Sequence, residues 1–208
     1  TFIWAFFCVL ETFVLGLILA LNMNSPNIPF QRLLRVLLIV PYAIPAFITV
    51  KVWVGLLNPV LGVIGTAWNP GWFTDPFWAK IGILMVNLWL GYPYMFLIIT
   101  GALQSIPGDI YEAARVDGAG PFYQFRRLTL PLLMVSIGPL LIGSFAFNFN
   151  NFAIIDLYNG GGPPIPGSAT PAGYTDILIS FTYRIAFGGA RGNDYGLAAA
   201  ISIIIFII

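Results

Sequence analysis

From Thr1 to Leu21 the chain contains a single charged side chain, Glu11. A helix of that length crosses a hydrocarbon core of ~30 Å. Comparable apolar stretches follow at about Leu33–Leu57, Lys80–Leu103 and Leu128–Leu157, and another starts near Tyr195. Inside a bilayer each backbone polar group must be satisfied within the protein, which leaves helices or a closed barrel. Runs this long read as helices, so the expected fold is an all-α membrane protein with about five transmembrane helices. Composition agrees: 59% of residues are hydrophobic, 16% aromatic and only 8% charged. A soluble domain carries about a quarter charged residues. The formal net charge of +1 gives no footing for nucleic acid. There is no histidine, and Cys8 is the one cysteine. That excludes zinc sites, Cys/His nucleophile pairs and internal disulfides. Cys8 reads as a small apolar residue in a span. No secretory signal is visible. The chain starts and stops inside apolar runs, so we read it as a segment of a longer polypeptide.

The links between spans carry the orientation. Asn22–Arg35 holds Ser25-Pro26, Pro29, Arg32 and Arg35. Asn58–Ala79 is rich in Gly, Pro and Trp, and Trp68, Trp72 and Trp78 suit a membrane–water interface. Asn159–Asp194 opens on a glycine run that lacks the following Gly-Lys-Ser of a phosphate loop, and reads as a flexible turn. Thr175–Phe187 is expected as a helix at the interface. Arg32, Arg35, Arg115, Arg126 and Arg127 fall on one side, against Lys80, Arg184 and Arg191 over longer loops on the other. The positive-inside bias then places the polar region Gln104–Arg127 in the cytoplasm. Pro41 and Pro45 break the second span and free backbone carbonyls. Lys51 lies near a span end, where its ammonium can snorkel. Glu11, near mid-membrane, is costly there unless it faces protein or is protonated. It reads as an ion site or as a structural hydrogen bond to a neighbouring helix, and no second acid joins it.

Tyr111–Pro131 (YEAARVDGAGPFYQFRRLTLP) is the longest polar interruption with its own helix signals. Asp109 and Glu112 fit a capping box. Ile110, Ala113 and Ala114 share a helix face, Gly118 fits a C′ residue, and Gly120-Pro121 restarts a helix with Pro at its first position. The pattern taken alone fits an ordinary capped loop helix equally well.

Glu112-Ala113-Ala114, Asp117-Gly118-Ala119-Gly120 and Leu128-Thr129-Leu130-Pro131 together resemble the EAA loop of ABC importer permeases. Asn87–Tyr94, Ser144–Phe152 and Thr170–Asp176 resemble more narrowly the permeases of the maltose/maltodextrin (MalF) type, and the likeness covers nearly the whole chain. The resemblance implies a single permease domain over 1–208 of the type I ABC importer kind, located in the bacterial inner membrane. It implies a cytoplasmic coupling loop at 108–131, with Glu112, Ala113, Ala114, Asp117, Gly118 and Gly120 docking on an ATPase subunit. The implied partners are a second, MalG-like permease subunit, a MalK-like ATPase dimer that binds ATP and magnesium, and an extracytoplasmic sugar-binding protein. This chain lacks a phosphate cradle, catalytic acid and metal ligands, so it is not expected to be an enzyme or to hold a cofactor.

Two polar stripes lie in the spans. Asn87, Leu90, Gly91 and Tyr94 follow offsets of zero, three, four and seven, as do Ser144, Phe147, Asn148 and Asn151. Amides are costly in lipid unless paired, so these faces turn to other helices or to a wet cavity. Amides for hydroxyls and rings for a C–H surface suit a sugar; interhelical hydrogen bonding is the alternative. Gly91 allows a close approach to the backbone, and Tyr42 and Ala46, one turn apart, can line the same cavity. The resemblance implies a mid-membrane sugar site at Tyr42, Asn87, Leu90, Gly91, Tyr94, Ser144, Phe147, Asn148 and Asn151. A further position of that site, a serine in the best-known members, is Ala46 here. A permease for another di- or oligosaccharide is the neighbouring reading. An ion-coupled secondary transporter built on Glu11, needing neither ATP nor Glu112, is the reading from another class.

Overall fold

The computed structural model describes residues 1–24, 28–168, 170–188 and 193–208. Ser25-Pro26 of the first link and Arg191 of the charge argument lie outside them. Among the described residues the secondary structure is helical, apart from one isolated bridge between Pro164 and Gly173. α1 (Phe2–Met23) is apolar and free of proline. α2 (Gln31–Ile39) leads into a single 3-10 turn, Val40–Ala43, before α3 (Ala46–Leu56) and the short α4 (Val63–Ala67). α5 (Pro76–Gln104) carries Pro93 inside an unbroken helix, and α6 is Gly108–Val116. α7 (Pro121–Gln124), a π-helical turn at Phe125–Thr129 and α8 (Leu130–Phe149) form one 29-residue apolar run. α9 (Phe152–Asn159), α10 (Leu178–Phe187) and α11 (Tyr195–Ile207) complete the chain. α1, α5 and the α7–α8 run are long and apolar enough to cross a membrane, and the α2–α3 pair makes a fourth if counted as one broken span. α11 is apolar but has only 13 residues.

Several boundaries differ from the sequence reading for local reasons. The second span is broken between Ala43 and Ala46, as its prolines predict. Pro45 has φ −53° and ψ 132°, an extended setting, so Tyr42 in the 3-10 turn and Ala46 at the start of α3 do not sit one turn apart on a common helix. α5 begins at Pro76, not Lys80. Asp75 Oδ1 accepts from Phe77 N (2.9 Å) and Trp78 N (3.0 Å), an N-cap followed by Pro at the first position. α8 stops at Phe149, well short of Leu157. α10 starts at Leu178, not Thr175; Ser180 Oγ accepts from Ile177 N at 3.0 Å.

The chain forms two compact units. In the unit of residues 1–8, 44–90 and 146–208, Val50, Leu57, Trp72, Ile83, Val86, Ile154, Ile155, Tyr158 and Ile177 form the core. Trp68, Trp72 and Trp78 meet edge to face with centroids 5.0–5.5 Å apart. The Tyr158 hydroxyl donates to the Trp72 carbonyl at 3.0 Å. Burial pushes that hydroxyl well above the ordinary tyrosine range, so it stays protonated and remains a donor. Tyr158→Phe leaves the Trp72 carbonyl buried without its donor. It is expected to cost about 1–3 kcal/mol, read as a fall of several degrees in the melting temperature of the detergent-solubilised protein. Lys51 does not simply snorkel, since its Nζ donates to the Leu157 carbonyl at 2.7 Å.

The glycine run after α9 is pinned rather than flexible. Asn159 Nδ2 donates to Gly162 O (2.7 Å), Thr175 Oγ1 donates to the same carbonyl (2.6 Å), and Thr175 N donates to Gly161 O (3.1 Å). Gly161, at φ +78°, packs beneath the Asp176–Arg184 ion pair, where a Cβ would collide with both side chains.

In the unit of residues 9–43 and 91–145, Ala20, Met95, Phe96, Ile99, Leu103, Leu133 and Ile137 form the core. Thr12, Gly16 and Ala20 are buried at four-residue spacing along α1, a small-residue seam that brings helix backbones close. A Cβ on Gly16 would stand 2.7 Å from Met95 Cβ and 3.0 Å from the Met95 and Phe96 backbone. At the end of α1, Gln31 Nε2 and Arg35 Nη2 (2.6 Å) both donate to the Met23 carbonyl, so Arg35 serves a helix C-terminus.

Candidate functional site

The loop of residues 108–131 owes its shape to residues close in sequence. α6 starts after Pro107, whose φ −59° and ψ 135° end the preceding chain direction; no side chain caps it. The expected Asp109–Glu112 capping box is therefore absent. Asp109 sits inside the first turn, where its charge faces the positive helix end. The C-terminus matches expectation. Ala119 N donates to Ala114 O (2.8 Å) and Gly118 N to Arg115 O (3.1 Å), with Gly118 at φ +79°. This is a Schellman closure. Gly120 is the N-cap of α7, and Pro121 takes its first position. Ile110, Tyr111 and Ala114 are the half-buried residues of α6; Ala113, assigned to that face from the sequence, is exposed. Asp109, Glu112, Ala113 and Val116 form the outer side, with Val116 88% exposed. Asp117, Gly118 and Gly120 are exposed as well. An acid beside an exposed apolar side chain gives this short helix a surface that a partner protein can cover.

The nine positions expected for the sugar site divide between the two units. Asn87, Leu90, Phe147, Asn148 and Asn151 belong to the first, and Tyr42, Gly91, Tyr94 and Ser144 to the second. Asn87 and Leu90 keep their shared face of α5: Asn87 is buried, and Leu90 packs against the core of its unit. On α8, Phe147 is 69% exposed while Asn148 beside it is buried, and the Asn148 carbonyl accepts from Trp4 Nε1 at 3.1 Å. Asn151 leaves the stripe. α8 ends at Phe149, Asn151 N donates to Asn148 O, and Asn151 becomes the N-terminal flank of α9. The periodicity of the sequence continues past the end of α8 at Phe149.

In the second unit, Tyr94 packs against the core and Tyr42 is 56% exposed. Ser144 is half-buried. Gly91 does not present open backbone: a Cβ there would lie 2.7 Å from Thr12 Cγ2, so its missing side chain serves a helix–helix approach. Glu11, next along α1, is half-buried and has an interaction partner. Sequence reasoning missed the tie between Tyr111 and Thr129. These hydroxyls stand 3.0 Å apart across 18 residues, and nothing in local periodicity signals it.

Residues 12–208 match the family described as binding-protein-dependent transport system inner membrane component. The chain belongs to that family. It is therefore a multi-pass membrane protein of the permease kind. Among curated relatives, the maltose/maltodextrin transport system permease protein MalF of Photorhabdus laumondii is 48% identical over the whole of this chain. The MalF of Yersinia pestis is likewise 48% identical, and that of Klebsiella aerogenes also 48%. The chain spans 40–42% of the length of these relatives. Two solved structures share the fold. A bacterial ABC transporter involved in alginate import superposes with a TM-score of 0.75 at 23% identity, over 99% of this chain and 74% of that one. A bacterial alginate ABC transporter in complex with its pentasaccharide-bound periplasmic protein gives 0.78 at 24%, over 98% and 70%. The binding-protein-dependent permease fold is thus confirmed from sequence and from geometry.

Proposed function

We propose that the chain forms the membrane-spanning part of a permease subunit in an ATP-driven importer of maltose or maltodextrin. The observation that carries this is α6: a short helix with an exposed Glu112–Val116 side, closed by a Schellman turn at Gly118, set between membrane-length helices. The identity to MalF along the whole chain supports the substrate class. The charge bias of the loops places α6 in the cytoplasm. There it docks on an ATPase dimer, and Glu112 pairs with an Arg or Lys of that partner. ATP binding closes the dimer and moves α6 as a lever; the sugar cavity opens outward, then inward after hydrolysis. A second permease subunit and an extracytoplasmic sugar-binding protein complete the assembly. Hydrolysis and the ATP-bound magnesium belong to the ATPase subunits.

Within the spans, the sugar is assigned to the buried amides of Asn87 and Asn148 and to the exposed ring of Phe147, and the resemblance adds Tyr42, Leu90, Gly91, Tyr94, Ser144 and Asn151. Amides pair with sugar hydroxyls, and an exposed ring covers the C–H face. Asn148→Ala keeps the backbone bond to Trp4 and removes only the amide. In the reconstituted complex with its binding protein, uptake of maltose and maltotriose is expected to fall about tenfold in this variant, the loss of one or two buried hydrogen bonds. Equal uptake in native and variant complexes would mean that the stripe is packing. Stimulation by trehalose or sucrose instead would keep the mechanism and change the substrate, as Ala46 in place of a serine allows.

A further inference from the structure

α6 has no buried residue, so it is held to its unit weakly by packing. Its half-buried Tyr111 reaches the hydroxyl of Thr129, 3.0 Å away, and Thr129 itself is only 6% exposed. Thr129 is the last residue of the π-helical turn Phe125–Thr129. In that turn Leu130 N donates to Phe125 O, five residues back, and Thr129 Oγ1 approaches Gln124 O at 3.5 Å. Pro131 explains the widening: it has no N–H, and its ring crowds the carbonyl four residues earlier. A π turn relieves that conflict and leaves a helix segment able to change its hydrogen-bond register. Either hydroxyl of the Tyr111–Thr129 pair can donate to the other.

We infer that the Tyr111–Thr129 hydrogen bond is the link by which displacement of α6 reaches the membrane-spanning α8, with the π turn as its compliant seat. This rests on the proposed importer function and adds two positioning residues to it. Gly118 closes the C-terminal end of α6, and Tyr111 ties its first half to Thr129. Movement of α6 then pulls on Thr129 and shifts the register of the turn from which α8 starts. The bond transmits motion; it touches neither sugar nor nucleotide.

The test uses the complete reconstituted complex, measuring sugar taken up per ATP hydrolysed, together with co-purification of the ATPase subunit. Tyr111→Phe and Thr129→Val each delete one hydroxyl and little volume. Each is expected to lower the uptake-to-hydrolysis ratio about three- to tenfold, the range that one hydrogen bond supplies, with ATPase co-purification unchanged. The double variant is expected to be no worse than the poorer single one, since both remove one bond. Thr129→Ser, which keeps the hydroxyl, is expected to restore the ratio. An unchanged ratio in both single variants, or fully additive losses in the double, would overturn the inference. So would loss of the ATPase subunit in Tyr111→Phe, because the bond would then hold the fold rather than carry motion. A native complex whose ATP hydrolysis responds to no sugar would instead overturn the importer reading on which the inference stands.

Discussion

Gly118→Val is expected to uncouple the complex, with sugar-driven ATP hydrolysis and uptake both falling tenfold or more. Gly118 closes α6 at φ +79°, and a Cβ there would meet no atom within 4 Å. Crowding is therefore not the cause of the loss. An L residue in the left-handed region costs roughly 1–2 kcal/mol, and a β-branched one is a genuine outlier. Val removes that setting, and with it the bonds from Ala119 N to Ala114 O and from Gly118 N to Arg115 O. α6 then unwinds or extends, and Glu112 and Val116 lose the presentation that the proposed docking on an ATPase needs. Gly118→Asn separates strain from other causes, because Asn tolerates the left-handed region. It is expected to keep most of the activity. Native-like hydrolysis in the Val variant would sink the idea that this turn sets the coupling helix.

Gly16→Leu is expected to have the largest effect on stability. Even a methyl at Gly16 would press against Met95 Cβ at 2.7 Å and against backbone at 3.0 Å, and a rigid α5 backbone cannot rotate away as a side-chain tip can. Overpacking of this kind costs about 3 kcal/mol, or roughly 6–12 °C in melting temperature at this chain length. Thermal unfolding in detergent, followed by monodispersity on size exclusion, checks it. Gly101→Leu on α5 is the control: no atom lies within 4 Å of its Cβ position, and little change is expected. A Gly16 variant as stable as the control would mean that α1 does not pack along Thr12–Gly16–Ala20.

The glycine and proline signals at the helix ends of residues 108–131 were legible in the sequence. The Gly118 closure and the Gly120-Pro121 restart appear where the residues placed them, because a helix end needs only residues within about six positions to satisfy its orphan carbonyls. The Asp75-Pro76 start of α5 carried an equally plain signal, but Trp78 reads as an interfacial residue of the Asn58–Ala79 link. Asp109 failed as a cap because Pro107 already supplied the non-helical residue that begins α6. The family of the chain was legible too, through the loop motif and the span pattern.

The candidate site was legible in its residue types and only partly in its geometry. A seven-residue offset predicts one face only while one helix lasts, and α8 ends between Asn148 and Asn151. Gly91 invited a ligand on paper, but Thr12 occupies its open side. The sequence by itself determined that this chain is helical and membrane-spanning, where α6 closes, and which polar side chains its spans must satisfy. Each of these follows from hydrophobic length, backbone hydrogen bonding and φ preference, which act locally. The tertiary structure alone decided that Gly16 and Gly91 serve helix contacts, that Tyr158 holds Trp72, and that Tyr111 reaches Thr129. Those depend on which distant segments share a neighbourhood, and pairing at that range is a property of packing that no local pattern encodes.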